Sequence, residues 1–170
     1  MSLTSKFYKP AYLGLAAGIF TCIYFFLFYC IDKSQFFNPT IYWGSFSILF
    51  LAVALFIHFE RRNTISFPFI SGLRGFFFIC LLNSAFYNFF YYLMINHIDS
   101  QLIDIKFNVI QEGLNSNAIL SNEEQQSAWK MSKEELYSHV KAKTILFSYV
   151  QGLPAGFLLA MLFAYIFKKD

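Results

Sequence analysis

The stretch Val150-Gln151-Gly152-Leu153-Pro154-Ala155-Gly156 interrupts an apolar run that reaches Tyr149 on one side and Phe157-Leu158-Leu159-Ala160 on the other. From 144 to 167 the run contains no Asp, Glu, Lys or Arg. A helix needs about 20 such residues to cross a hydrocarbon layer of roughly 30 Å, so this segment reads as a membrane span. Its amide, its glycines and its proline then need a reason in lipid, either close helix packing or a binding path.

Three further charge-free runs, 11–31, 41–59 and 75–95, have the same character. Apolar residues make up 57% of the chain and charged ones 14%, a balance far from that of soluble domains. The expectation is an all-α membrane protein, a single membrane domain over 1–170 with four transmembrane helices. The first run follows Lys6 and Lys9 as a secretory signal would, but it is too long for one and no A-x-A pattern follows, so it reads as a retained span. A net charge of +3, with no basic cluster interleaved with exposed aromatics, argues against nucleic acid as a partner. Cys22, Cys30 and Cys80 form no C-x-x-C pair and read as small apolar residues.

Lys and Arg near span ends hold a flank in the cytoplasm. Lys6 and Lys9 precede the first span, Arg61, Arg62 and Arg74 stand between the second and third, and Lys168 and Lys169 end the chain, whereas the first loop has only Lys33. Both termini are therefore expected to be cytoplasmic. The 96–143 loop, in which acidic residues outnumber basic ones, is expected outside.

That loop is long enough to fold. Ile98, Leu102, Ile105 and Val109 form one helical stripe, Ile103, Phe107, Ile110 and Leu114 lie beside it, and Gln101, Asp104, Asn108 and Gln111 fall opposite. Alternation over 103–109 would also suit a strand, but it leaves Leu102 and Ile110 unexplained and the strand without a partner. An amphipathic helix that extends the third span and stops at Gly113 is the preferred reading. Ser121 with Glu124, and Ser132 with Glu135, have capping-box spacing. The loop is expected to be a helical extracytoplasmic cap, packed by Trp129 and Tyr137.

Spacing also bears on the glycines. Ser148, Gly152, Gly156, Ala160 and Ala164 recur every fourth residue, as do Gly14, Gly18 and Cys22 in the first span. Water does not drive helices together within lipid, so association relies on close contact between small residues, and both stripes read as packing faces. Pro154 removes an amide donor and presses on the Val150 carbonyl, which predicts a kink with Gln151 one turn away to supply a hydrogen bond. Gln151 is also able to reach Asn83, Ser84 or Asn88 on the third span. The rival reading makes Gln151, Asn83 and Asn88 a polar midplane path for a solute.

Arg74 enters the third span after Ser66, a suitable N-cap, and Pro68, placed in the first turn. It reads as a snorkelling interface residue, with a phosphate headgroup contact as the sharper alternative. Phe76-Phe77-Phe78 and Phe89-Phe90-Tyr91-Tyr92 read as lipid-facing bulk and interfacial belt. His97, Asp99 and His139 lack the spacing of a metal site, and no catalytic or cofactor motif is present.

The glycines of the first span, Ile65-Ser66-Phe67 leading through Gly72-Leu73, the polar outer loop, and Gly152-Leu153-Pro154-Ala155-Gly156-Phe157-Leu158-Leu159 before a Lys-rich end together resemble a family of small bacterial four-span inner-membrane proteins. It is the family catalogued as domain of unknown function forty-one ninety-nine. The resemblance implies a bacterial cytoplasmic membrane and a four-helix bundle, and no reaction. Members often carry an acidic residue before the Leu-Pro, where this chain has Gln151 or Gly152, which weakens any need for a carboxylate there.

Three functions follow as expectations. The first is a non-enzymatic accessory or assembly subunit, joined to itself or to another membrane protein through Gly14, Gly18, Ser148, Gly152 and Gly156. The second is a small-solute or lipid carrier using Gln151, Asn83 and Asn88. The third is an enzyme acting on membrane lipids through His97, Asp99 or His139.

Overall fold

The structure is a computed structural model that describes residues 3–63, 67–116, 136 and 138–168. Every element among them is helical: α1 (Leu3–Ile31), a 3-10 turn (Lys33–Phe37), α2 (Pro39–Asn63), α3 (Phe69–Leu93), a π-helical turn (Met94–Ile98), α4 (Leu102–Ser116) and α5 (Ala142–Phe167). Four helices are long and apolar enough to cross a membrane: α1, α2, α3 with its π turn, and α5. They outrun the charge-free segments because interfacial residues such as Lys9 and Arg62 continue the helices. The third starts at Phe69 rather than Gly75, so Arg74 lies in its second turn. Pro68 is itself the N-cap residue, extended at φ −66° and ψ 142°, and its carbonyl accepts from the amides of Ser71 and Gly72.

The spans alternate in direction. At one end Lys9 meets Glu60 at 3.7 Å and Arg61 donates to the Phe167 carbonyl at 3.3 Å. At the other, Lys33 meets Asp99 and the Asn96 amide donates to the Val140 carbonyl at 2.9 Å. Helix α3 is central, with α1 and α5 packed along it and α2 beside them.

Two apolar cores result. The core at the termini end joins Phe56, Phe67, Phe76 and Ile79 to Ala160 and Ala164. Phe76 is fully buried there, which corrects its reading as lipid-facing bulk: its ring sits edge-on to Phe56 at 5.4 Å and also contacts Phe67 and Phe163. The second core joins Phe25, Phe36, Met94 and Ile95 to Leu102, Leu136 and Val140. Tyr91 belongs beside this core rather than to a lipid-facing belt, stacked on Phe36 at 5.9 Å.

The amphipathic helix of the third loop is present as α4, with Leu102 and Ile103 buried and Gln101, Asp104 and Asn108 exposed. It does not extend the third span. A π turn closed by the Asp99 amide on the Met94 carbonyl leads into extended backbone at Asp99, so the chain changes direction before Leu102. Ile98, expected on the buried stripe, is exposed as a result. Nor does the helix stop at Gly113, since α4 continues to Ser116. The proposed N-cap Ser66, both capping boxes, and the packing of Trp129 and Tyr137 lie outside the described residues.

Candidate functional site

The two glycine stripes meet different surroundings. On α1, a Cβ at Gly14 would stand 3.0 Å from the Leu82 Cβ, and one at Gly18 only 2.7 Å from the Phe86 Cβ. Cys22, a turn further along, lies 3.7 Å from the Phe86 carbonyl. This stripe is therefore consumed within the chain, holding α1 against α3. On α5, Ala160 and Ala164 are buried in the core and Gly156 leaves its Cβ position 3.8 Å from Cys80. Gly152 meets nothing within 4 Å, and Ser148 is exposed.

The open half of the α5 stripe borders a groove. Helices α2 and α5 touch near the termini end, through Phe50 with Phe163 and Arg61 with Phe167. Above these contacts they part, leaving α3 as the floor. A cavity of about 470 Å³ lies there, walled by Trp43, Phe46 and Leu49 of α2 and by Gly152, Leu153, Gly156 and Leu159 of α5. Phe77, Cys80, Asn83 and Ser84 line its floor.

A second cavity, of about 590 Å³, lies beneath α4, between the 3-10 turn and the start of α5. Phe36, Phe37, Asn88, Tyr91, Lys106, His139 and Ser148 line it. Tyr42 and Tyr87, with rings 5.9 Å apart, belong to the walls of both cavities. Both volumes fall in the range of small-ligand sites, about 300 to 1,000 Å³.

The polar groups of the third span are placed by local bonds. Asn83 accepts from the Thr21 hydroxyl at 2.9 Å, an α1–α3 bond that spacing alone did not suggest. Asn88 turns back to its own helix, donating to the Ser84 carbonyl at 2.8 Å. Gln151 is exposed and reaches neither of them, so the structure does not bring Gln151, Asn83 and Asn88 together. Pro154 is exposed within an unbroken α5, and Arg74 is exposed near the start of α3.

At the α4 end the lysines differ in their surroundings. Lys33 pairs with Asp99 at 2.6 Å, and Tyr29 donates to the same carboxylate at 2.9 Å. Lys106, partly buried, donates to the Tyr91 hydroxyl at 2.8 Å and lies over that ring, 5.5 Å from its centroid. The described residues lining the outer cavity include Lys106 and His139 and no carboxylate. His97 packs on Tyr92 instead, 5.4 Å between rings. Asp99 is engaged by Lys33, so His97, Asp99 and His139 form no cluster, and no metal-holding group of three His, Cys, Asp or Glu occurs among the described residues.

Four apolar helices of alternating direction, with a groove opening between two of them, define a multi-pass integral membrane protein. The family can be given too: residues 12–169 match the model described as Protein of unknown function (DUF4199), and the chain belongs to that family. No curated protein and no solved structure gives a match.

Proposed function

We propose that this protein is a non-enzymatic binding protein of the bilayer, whose groove between α2 and α5 admits a guest sideways from the membrane. The observation that carries this reading is the emptiness at Gly152, beside a cavity lined by residues of all four spans. Small residues that face no neighbour do not serve packing within the chain. Here they keep the α5 wall low, so an acyl chain or similar apolar body lies against backbone. The carrier reading thus moves from Gln151 to the groove itself.

Assembly is the second reading, favoured by the exposure of Ser148 and Gly152 on the lipid side. It now concerns α5 alone, because Gly14 and Gly18 are occupied by α3. In this reading a partner's helix fills the groove.

A phospholipid bearing a photoactivatable diazirine on its acyl chain distinguishes the two. Guest binding predicts crosslinks on both walls, around Phe46 and Leu49 and around Gly152 and Leu153. Crosslinks confined to outward residues such as Leu158 and Leu162 would reject it.

We also place both termini on the cytoplasmic side of a bacterial cytoplasmic membrane and α4 outside. The family resemblance supports the membrane, and the gathering of Lys9, Arg61, Arg62 and Arg74 toward one end supports the orientation.

A further inference from the structure

The outer cavity differs from the lower one in chemistry, and the difference specifies a guest. Lys106 projects from α4 into a partly buried setting, where Tyr91 gives its ammonium one neutral oxygen, which does not neutralise it. Asp99 is held by Lys33, and Asp104 is exposed on α4. The described residues lining the Lys106 cavity include no carboxylate, and a partly desolvated ammonium in such a lining is stabilised by an anion that brings its own charge. His139 lines the same cavity and offers a further nitrogen.

Below this polar chamber the lining changes step by step. Tyr42 and Tyr87 form a waist with one polar tip each, and beneath them Phe46, Leu49, Leu153 and Leu159 are apolar. Along α5 the lining runs from Ile145 to Leu159. At 1.5 Å per residue that is roughly 21 Å. The hydrocarbon layer is about 30 Å thick, so chamber and trough together span about one leaflet and its headgroup region. A charged chamber at the interface above a mainly apolar trough, of that combined depth, has the shape of a lipid.

We infer that the groove binds an anionic phospholipid, with the headgroup phosphate at Lys106 and His139 and one acyl chain passing beside the touching rings of Tyr42 and Tyr87 to lie against Gly152. This rests on the binding reading above and gives its guest a class. Charge selects the lipid at Lys106, and Gly152 supplies room for the chain whatever the headgroup. The two parts are therefore separable.

The test uses the full chain in neutral detergent, titrated with phosphatidylglycerol and with diacylglycerol of equal chain length, which lacks the phosphate, with lipid adducts counted by native mass spectrometry. A hydrogen bond to a charged group corresponds to a preference of roughly tenfold or more. Wild type is expected to favour phosphatidylglycerol by about that factor. Lys106→Met is expected to lose the preference while keeping its diacylglycerol binding, and Lys106→Arg to retain it. Gly152→Leu is expected to lower both lipids alike and leave the preference intact.

A preference that survives in both Lys106→Met and Lys106→Gln overturns the assignment of the headgroup. If Gly152→Leu still lowers both lipids in that case, the groove reading stands and only the anion inference falls. If Gly152→Leu changes neither lipid, the groove itself is wrong. Competition by soluble glycerol phosphate as effective as that by the lipid would assign the chamber to a free anion, and overturn the lipid.

Discussion

The Lys33 ammonium stands 2.6 Å from a carboxylate oxygen of Asp99, and the residues are joined across the bundle from the first connection to the third. Tyr29 donates to the same oxygen and the Gln101 amide to the other, which leaves the Asp99 side chain 9% exposed. The bond from Lys33 holds the Asp99 carboxyl below its ordinary value, and the bond to Asp99 holds the Lys33 ammonium above its own. The π turn makes this meeting possible by ending α3 directly before Asp99.

The signs of those shifts fix a pH dependence. A depressed carboxyl contributes its full stabilisation above the ordinary value of 3.8 and loses it as pH falls through the lower folded value. A raised ammonium contributes fully below 10.5 and loses it as pH rises through the higher folded value. Asp99→Asn should therefore lower the melting temperature in detergent by an amount that stays constant from about pH 5 to about pH 9. The gap between variant and wild type should narrow only in stronger acid or base. A gap that changes steeply near neutrality would assign the effect to another group.

The two glycine stripes should respond oppositely to a methyl group. At Gly18 a new Cβ would fall 2.7 Å from the Phe86 Cβ, close to the helix backbone, where yielding is difficult. Gly18→Ala should cost about 1 to 3 kcal/mol in unfolding titrations, as overpacking does. Gly152→Ala adds its methyl to open space inside a helix and should raise stability by about 0.5 to 1 kcal/mol. Equal losses at both positions would contradict the packing described.

Among the polar residues of the spans, Thr21 should matter and Gln151 should not. Thr21→Val removes the hydroxyl that donates to Asn83. The expected loss is about 0.6 to 1.7 kcal/mol, the range for hydrogen bonds between helices in lipid. Gln151→Ala, at an exposed position, should be neutral in the same titration.

Orientation is open to direct chemistry. Ser100 is exposed at the α4 end, in the turn before that helix. Ser100→Cys, in a chain freed of its own cysteines, should react with an impermeant maleimide added outside whole cells. Labelling only after lysis would reverse the topology proposed.

How much of this was legible depends on the range of the interaction. The spans followed from charge-free length and α4 from its stripe, because both are local properties of the chain. The break at Asp99 was not visible, since Ile98 continues the apolar period and only a distant lysine draws the chain aside. Gly113 misled because glycine permits a helix end without requiring one. The α1 stripe, read as a packing face, lies against α3 of the same chain. The α5 stripe had the same spacing but a different use, because a four-residue repeat shows which residues share a side without showing what faces them. Lys106 carried no signal in sequence: its place over Tyr91 depends on the turn that swings α4 across the bundle.

The central claim is that the open space at Gly152 is filled by lipid. The most direct measurement is the lipid that purified wild-type protein and Gly152→Leu each retain after identical detergent washing, weighed by native mass spectrometry. Wild type should keep bound phospholipid, and the variant, still folded, should lose it by about tenfold. Equal retention by the two would contradict the account.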